Sequence, residues 1–261
     1  MTSVTTAPAG VTAAPGRPGG WLWRNRDLTI QPVIVLVGLA LVFAYMSTQR
    51  LDSVEQRILD PAGLLARLRE HLLLTGYSTV VVIALAVPLG IALSRSAAGG
   101  FRTGVLAFGG FMQALPPFGV IILLAFWLGA GTFGATVALV LASFLPVLTN
   151  TVVGLRQVDP TLIEAARGMG MSAWRTLLRV ELPLAVPVMV AGIRVALVLN
   201  VGTATFGVYV GAGGLGVAID SALKLGRVEV AFAASAIVAA LALLIDWLAG
   251  VSQRLVSGRT E

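Results

Sequence analysis

Long apolar runs separated by short polar stretches set the pattern of this chain. Nearly uninterrupted hydrophobic sequence recurs near residues 30–46, 71–93, 103–128, 134–153, 184–210 and 228–251. Each run approaches or exceeds the roughly 20 residues that a helix needs to cross about 30 Å of hydrocarbon. The pattern predicts an all-α membrane protein with about six transmembrane helices. The first run, within a helix expected over 28–48, begins late and is not followed by an Ala-x-Ala exit, so it reads as an uncleaved span. Residues 1–27 open with aperiodic Ala, Pro, Gly, Thr and Val and read as a disordered cytoplasmic tail. Residues 49–70 mix four arginines with Asp52, Glu55, Asp60 and Glu70. They predict an extracytoplasmic or interfacial helix that starts at Asp60-Pro61, because proline suits the first helical position. A main helical body is expected over 71–251, followed by a C-terminal cytoplasmic tail over 252–261.

Composition supports the bilayer as the main solvent. Of 261 residues, 57% are hydrophobic and 11% charged, with no cysteine and one histidine. Disulfides, thiolate metal sites and imidazole clusters are therefore excluded. The net charge of +6 does not gather in a basic, aromatic-studded stripe, which argues against nucleic acid. Its distribution fits topology. With the N-terminus inside, eleven arginines fall on the inner side and six lysines and arginines outside, which places both termini in the cytoplasm of a multi-pass protein.

On that topology residues 154–183 form the largest internal cytoplasmic loop. Asp159 and Pro160 can cap and start one short helix containing Glu164, Ala165 and Ala166, whose two methyl side chains permit close approach of another surface. Gly170 permits a turn. Ser172 can cap a second helix with Trp174, Leu177 and Leu178 on one face, and Pro183 and Pro187 mark the entrance of the next span. Pattern alone leaves two readings open: an amphipathic loop on the headgroups, or a docking element.

The spacing Glu164-Ala165-Ala166, three residues, Gly170, nine residues, then Val180-x-Leu182-Pro183 resembles the signature loop of permease subunits of bacterial binding-protein-dependent ABC importers, with Val180 for the usual Ile. The resemblance covers 71–251, a five-span type I importer core, and leaves 28–48 as an added N-terminal span. It implies that the loop is a coupling helix seated in a cytoplasmic ABC ATPase, that a second permease copy or paralogue completes the path, and that an extracytoplasmic substrate-binding protein delivers the solute. It also implies a bacterial inner-membrane location. Gln113-Ala114-Leu115-Pro116-Pro117 and the segment from Leu145-Pro146 to Asn150-Thr151 resemble permeases for glycine betaine, carnitine or choline. Methionine and other amino-acid permeases carry similar glycines to Gly211, Gly213, Gly214 and Gly216, so an amino acid is the alternative cargo. An ion-driven secondary transporter is a further alternative, one that leaves the loop signature unexplained.

The glycines also satisfy G-x-G-x-x-G, but no βαβ unit surrounds them, and they are read as a gate or packing segment. No Walker A loop is present, since Ala218 and Leu223 replace its glycines ahead of Lys224. The chain is therefore expected to be no enzyme and to hold no cofactor or metal, with ATP bound by the partner. Candidates for the translocation path are Gln113, Pro116, Asn150, Asn200, Thr203, Thr205 and Tyr209; for the polar side chains the competing reading, a hydrogen bond between helices or a cap, is favoured. Arg194 and Asp246 are read as snorkelling charges, His71 as interfacial, and Gly192 with Ala196 as a close-packing pair.

Overall fold

The computed structural model describes residues 26–95 and 99–257, and side-chain surroundings for 29–95 and 99–254. Of the tail expected over 1–27, residues 1–25 lie outside it, as do 96–98 and the last four residues, while Arg26 and Asp27 already belong to a helix. All regular structure among the described residues is helical.

Helix α1 (Arg26–Thr48) lies against the last helix, α11 (Val228–Ser257), with most of its apolar side chains turned outward. A short α2 (Ser53–Ile58) follows, closed by a capping box in which Asp52 accepts from the amides of Val54 and Glu55 and the Glu55 carboxylate accepts from the amide of Asp52. Arg227, just before α11, donates to Asp52 at 2.5 Å. The polar 49–70 segment is thereby tied to the α11 end of the fold. Pro61 starts a helix as expected, but not a separate one. Helix α3 (Pro61–Arg95) runs unbroken for 35 residues, about 52 Å, so the span begins ten residues before His71. Its buried residues His71, Leu74, Thr75, Ser78, Thr79, Val82, Ala86, Gly90 and Leu93 recur at helical spacing and hold one stripe inward along its whole length.

The apolar run over 103–128 is not one straight span. Helix α4 (Gly99–Ala114) and α5 (Pro117–Leu128) meet at a 97° bend. Pro116 and Pro117 remove two successive amide donors at the point where α4 would otherwise continue. Five helices among the described residues are long and apolar enough to cross a membrane, and the bent pair makes a sixth if counted as one span.

Helix α6 (Thr132–Arg156) occupies the centre, packed against α3, α4, α5 and α9 (Leu182–Ala204). Lipid tails are as apolar as the helix faces, so association here depends on close van der Waals packing. Small residues provide it. A Cβ on Gly90 would meet Thr151 at 2.7 Å, and one on Gly192 would meet Asn150 and the Pro146 carbonyl at 2.6 Å. Gly192 and the fully buried Ala196 therefore both lie in tightly packed parts of α9. Beyond α9 come a 3-10 turn (Thr205–Val210), a glycine-rich turn, α10 (Gly216–Lys224) and α11. Helix α11 continues to Ser257, so the first six residues of the expected C-terminal tail are helical.

Candidate functional site

The 154–183 loop is built from local rules. Asp159 accepts from the amide of Thr161 at 2.9 Å and Pro160 starts α7 (Pro160–Gly168). That amide bond, more than the Thr161 side chain, holds the Asp159 carboxyl below the usual range. The helix ends where Met171 and Gly170 return their amides to the carbonyls of Ala166 and Arg167 and Gly170 turns through φ +84. No atom lies within 4 Å of a Cβ at Gly170, so its backbone angle, not crowding, calls for glycine. Within α7, Ala166 is buried, while Glu164 and Ala165 face out.

Ser172 caps α8 (Ala173–Thr176) through the amide of Arg175. The second loop helix is only a stub. It passes through a π turn (Leu177–Glu181) straight into α9, so Leu182 and Pro183 do not end a helix. A proline inside a continuous helix clashes with the carbonyl four residues back, and the wider π turn immediately before Pro183 relieves that clash. The join also separates the expected apolar face. Leu177 is buried with Ala185 and Met189, whereas Trp174 is 66% exposed and Leu178 remains half-exposed. Leu162 and Met169, 74% exposed, are further outward-facing apolar side chains of the same loop. Val180 and Leu182 are half-buried at the base of α9. The buried Glu181 accepts from Arg95 at 2.8 Å, which ties the end of α3 to that base.

At the opposite end, Gly211, Gly213 and Gly214 have φ of +74, +76 and +86. The turn they make is clamped from α3: Glu70 accepts from the amide of Gly214 at 2.9 Å. His71 lies within hydrogen-bonding distance of both the amide of Leu215 and the Val201 carbonyl. His71 is fully buried, not interfacial. Sequence offered no signal for this, because its partners are 130 and 144 positions away. Gly216 starts α10 with its Cα so close to the Thr205 carbonyl that a Cβ would overlap it.

The polar candidates divide. Asn200 and Thr203 are buried in the single chain, and Asn200 donates to Thr79 at 3.0 Å, a bond between α9 and α3. Asn150 donates to Pro146 within α6, and Thr205 donates to Gly202. Gln113, Pro116 and Tyr209 are exposed on the single chain. Arg194 and Asp246 do not snorkel apart. The guanidinium Nε and Nη2 reach the two carboxylate oxygens at 2.5 and 2.6 Å, and Gln31 of α1 donates to the same carboxylate at 2.8 Å. The side chain of Gln31 also reaches the Leu243 carbonyl. This polar cluster joins α1, α9 and α11. A guanidinium matched to a carboxylate in two parallel bonds is favoured where water is scarce.

Residues 86–258 match the family described as binding-protein-dependent transport system inner membrane component. The chain is similar to the glycine betaine/carnitine/choline transport system permease protein OpuCB of Bacillus subtilis (strain 168), with 37% identity over 194 residues covering 74% of this chain and 88% of that protein. It is also similar to the osmoprotectant import permease protein OsmY of Salmonella typhimurium (strain LT2), with 37% identity over 235 residues covering 89% of this chain and 98% of that protein. Among solved structures, a chain of the MetNI methionine ABC transporter in inward-facing conformations shares the fold at a TM-score of 0.65 and 25% identity, over 74% of this chain and 96% of that one.

Proposed function

The chain belongs to the family of binding-protein-dependent transport system inner membrane components, and on that premise we propose that it forms one half of the path of an ATP-driven importer for glycine betaine, choline, carnitine or a related osmoprotectant. The similarity to OpuCB and OsmY, over most of both chains, is what supports that cargo over an amino acid. The likeness to the methionine transporter chain is one of fold. A separate ATPase hydrolyses ATP, a second permease completes the path, and a binding protein presents the solute from outside. Both termini and the loop carrying α7 face the cytoplasm, in a bacterial inner membrane.

The observation that carries the coupling role is the exposed face of α7 joined to a continuous α8–π–α9 helix. Glu164, Ala165 and Gly170 do no chemistry in this reading. They seat in the ATPase, and closure of the ATPases on ATP pushes α7 against α8 and the π turn. Because no loop separates α8 from α9, that push is delivered to the base of a long helix, and through Glu181 and Arg95 to α3. Rigid packing converts the push into rocking between two arrangements rather than continuous bending.

Reconstitution tests this. Gly170→Val forces a branched side chain into a left-handed backbone angle, whereas Gly170→Asn tolerates that angle. Gly170→Val and Glu164→Lys are expected to insert normally yet lose co-purification with the ATPase and ATP-driven uptake. Unchanged uptake in both refutes docking through this loop. Solute uptake by the wild-type chain on an ion gradient alone, without ATPase, refutes the importer assignment. Reporter fusions near Gly170 and Gly214 are expected to read inside and outside; a cytoplasmic signal at both breaks the topology.

A further inference from the structure

We propose that the aromatic corner made by Phe118, Phe206 and Tyr209 is a contact site for the quaternary ammonium group of the solute in transit; the proposal rests on the substrate class given above. Sequence spreads these rings over 92 positions and gives no hint of a cage. The fold gathers them. The Phe118 ring centroid lies 5.0 Å from that of Tyr209 at 85° and 5.7 Å from that of Phe206 at 65°. Phe206 is anchored in the core beside Leu74, Ile121 and Ala135, while Phe118 and Tyr209 remain 44% and 46% exposed. Two rings at right angles make a corner in which a ligand meets one ring face and the side of the other. A methylated ammonium within about 6 Å of a ring face is attracted by the ring quadrupole without needing a carboxylate.

Phe118 stands in the first turn of α5, immediately after the 97° break. The helix ends at the break act on a cation in opposite senses, partially positive at the first turn of α5 and partially negative at the C-terminus of α4, so the attraction rests on the rings. Lys224, on α10, is paired with Asp220 one turn back at 2.7 Å. Gln113 and Pro116, two of the path candidates, are exposed at the break that precedes Phe118. A contact of this weak kind also suits passage, since a tight site would trap what it must release.

The test uses the complete transporter in proteoliposomes, with labelled glycine betaine and choline presented by saturating binding protein. Phe118→Leu and Tyr209→Leu are expected to slow uptake of both solutes roughly three- to thirty-fold in transporters that still co-purify with the ATPase. Progressively fluorinated phenylalanines at position 118 keep the ring's shape and withdraw its π density, so uptake should fall stepwise along the series. Should the leucine variants fail to assemble, the fluorinated series decides alone. Uptake that is flat across that series, or within twofold of wild type in assembled leucine variants, overturns the proposal and leaves the substrate reading intact. A wild-type transporter that carries no quaternary ammonium solute overturns both.

Discussion

Replacing Asp246 by Asn removes the carboxylate that holds Arg194 and Gln31 together and tests whether α1 is held by charge. In the wild type, Asp246 accepts from Arg194 at 2.5 and 2.6 Å and from Gln31 at 2.8 Å. Breaking a buried pair from one side costs about 3–5 kcal/mol, because the remaining charge is left uncompensated. Here the side chains are 33% and 24% exposed on the isolated chain, so the lower end applies. Insertion scales give about 2.5–3.5 kcal/mol for an arginine at mid-bilayer, and 12 residues along α9 places Arg194 well inside the helix. A loss of about 2–3 kcal/mol follows for Asp246→Asn. Replacing both members, as Arg194→Met with Asp246→Leu, removes the unpaired charge and is expected to restore most of that loss, since apolar substitutes for a buried pair are often neutral. The assay is a double-mutant cycle of Arg194→Met, Asp246→Leu and the two combined, with Asp246→Asn alongside, on the detergent-purified protein and read as melting temperature. The single variants should melt about 5–10 °C lower and the double variant within a few degrees of wild type. Additive losses, with the double variant the least stable, would mean that the two charges act separately, as snorkelling side chains do.

Three further outcomes follow from the same geometry. Gly216→Ala is expected to abolish folded protein, because its Cβ overlaps the Thr205 carbonyl, whereas Gly202→Ala, with no atom near its Cβ, should purify normally by size-exclusion chromatography. Asp159→Ala should fray the start of α7, seen as roughly fivefold faster amide exchange at Thr161 and Leu162. The same cap carries a pH signature. The folded carboxyl is held below its unfolded value of 3.8, chiefly by the Thr161 amide, so its contribution is complete above that value and is lost only as pH falls through the lower folded value. Protection of the α7 amides, with intrinsic exchange divided out, should accordingly be independent of pH near neutrality and fall only in acid, and Asp159→Asn should remove that acid-dependent fall. His71→Leu should strip partners from the Val201 carbonyl and the Leu215 amide, lowering the melting temperature by several degrees and loosening the glycine turn to proteolysis.

What sequence revealed depended on range. Asp159-Pro160, Gly170 and Ser172 act on amides within three residues, so the two helix starts and the turn between them were readable directly. The Ser172 helix was legible as a start but not as a stub, because the π turn that fuses it to α9 follows no composition rule and sends Leu177 inward while Trp174 points out. Pro116-Pro117 carried a local signal for a break that hydropathy averaged away. The pairs that hold spans together had no local signal at all. His71 with Val201 and Leu215, Asn200 with Thr79, and Gln31 with Asp246 each join residues more than a hundred positions apart, and in an apolar chain any polar residue looks equally suited to a path or a helix contact.

These contacts converge on α9. Its base carries the π turn and the Glu181 tie to α3; one face is lined by Asn200 and Gly192 against α3 and α6; Arg194 fixes it to α1 and α11; its far end becomes the 3-10 turn that bears Phe206 and Tyr209. A force applied at the loop therefore reaches the aromatic corner through one continuous helix without crossing a hinge. Coupling between two sites is reciprocal in free energy, so a solute that favours one arrangement of the corner must favour the matching arrangement of the loop to the same degree. The α1 clamp has the opposite effect on the same helix: it resists displacement of α9 relative to α11. Weakening it should then lower stability while easing the rocking motion, so Asp246→Asn is expected to raise ATP hydrolysis in the absence of solute. Basal hydrolysis that stays at or below the wild-type rate in an assembled Asp246→Asn transporter would show that α9 does not move against α11 during the cycle.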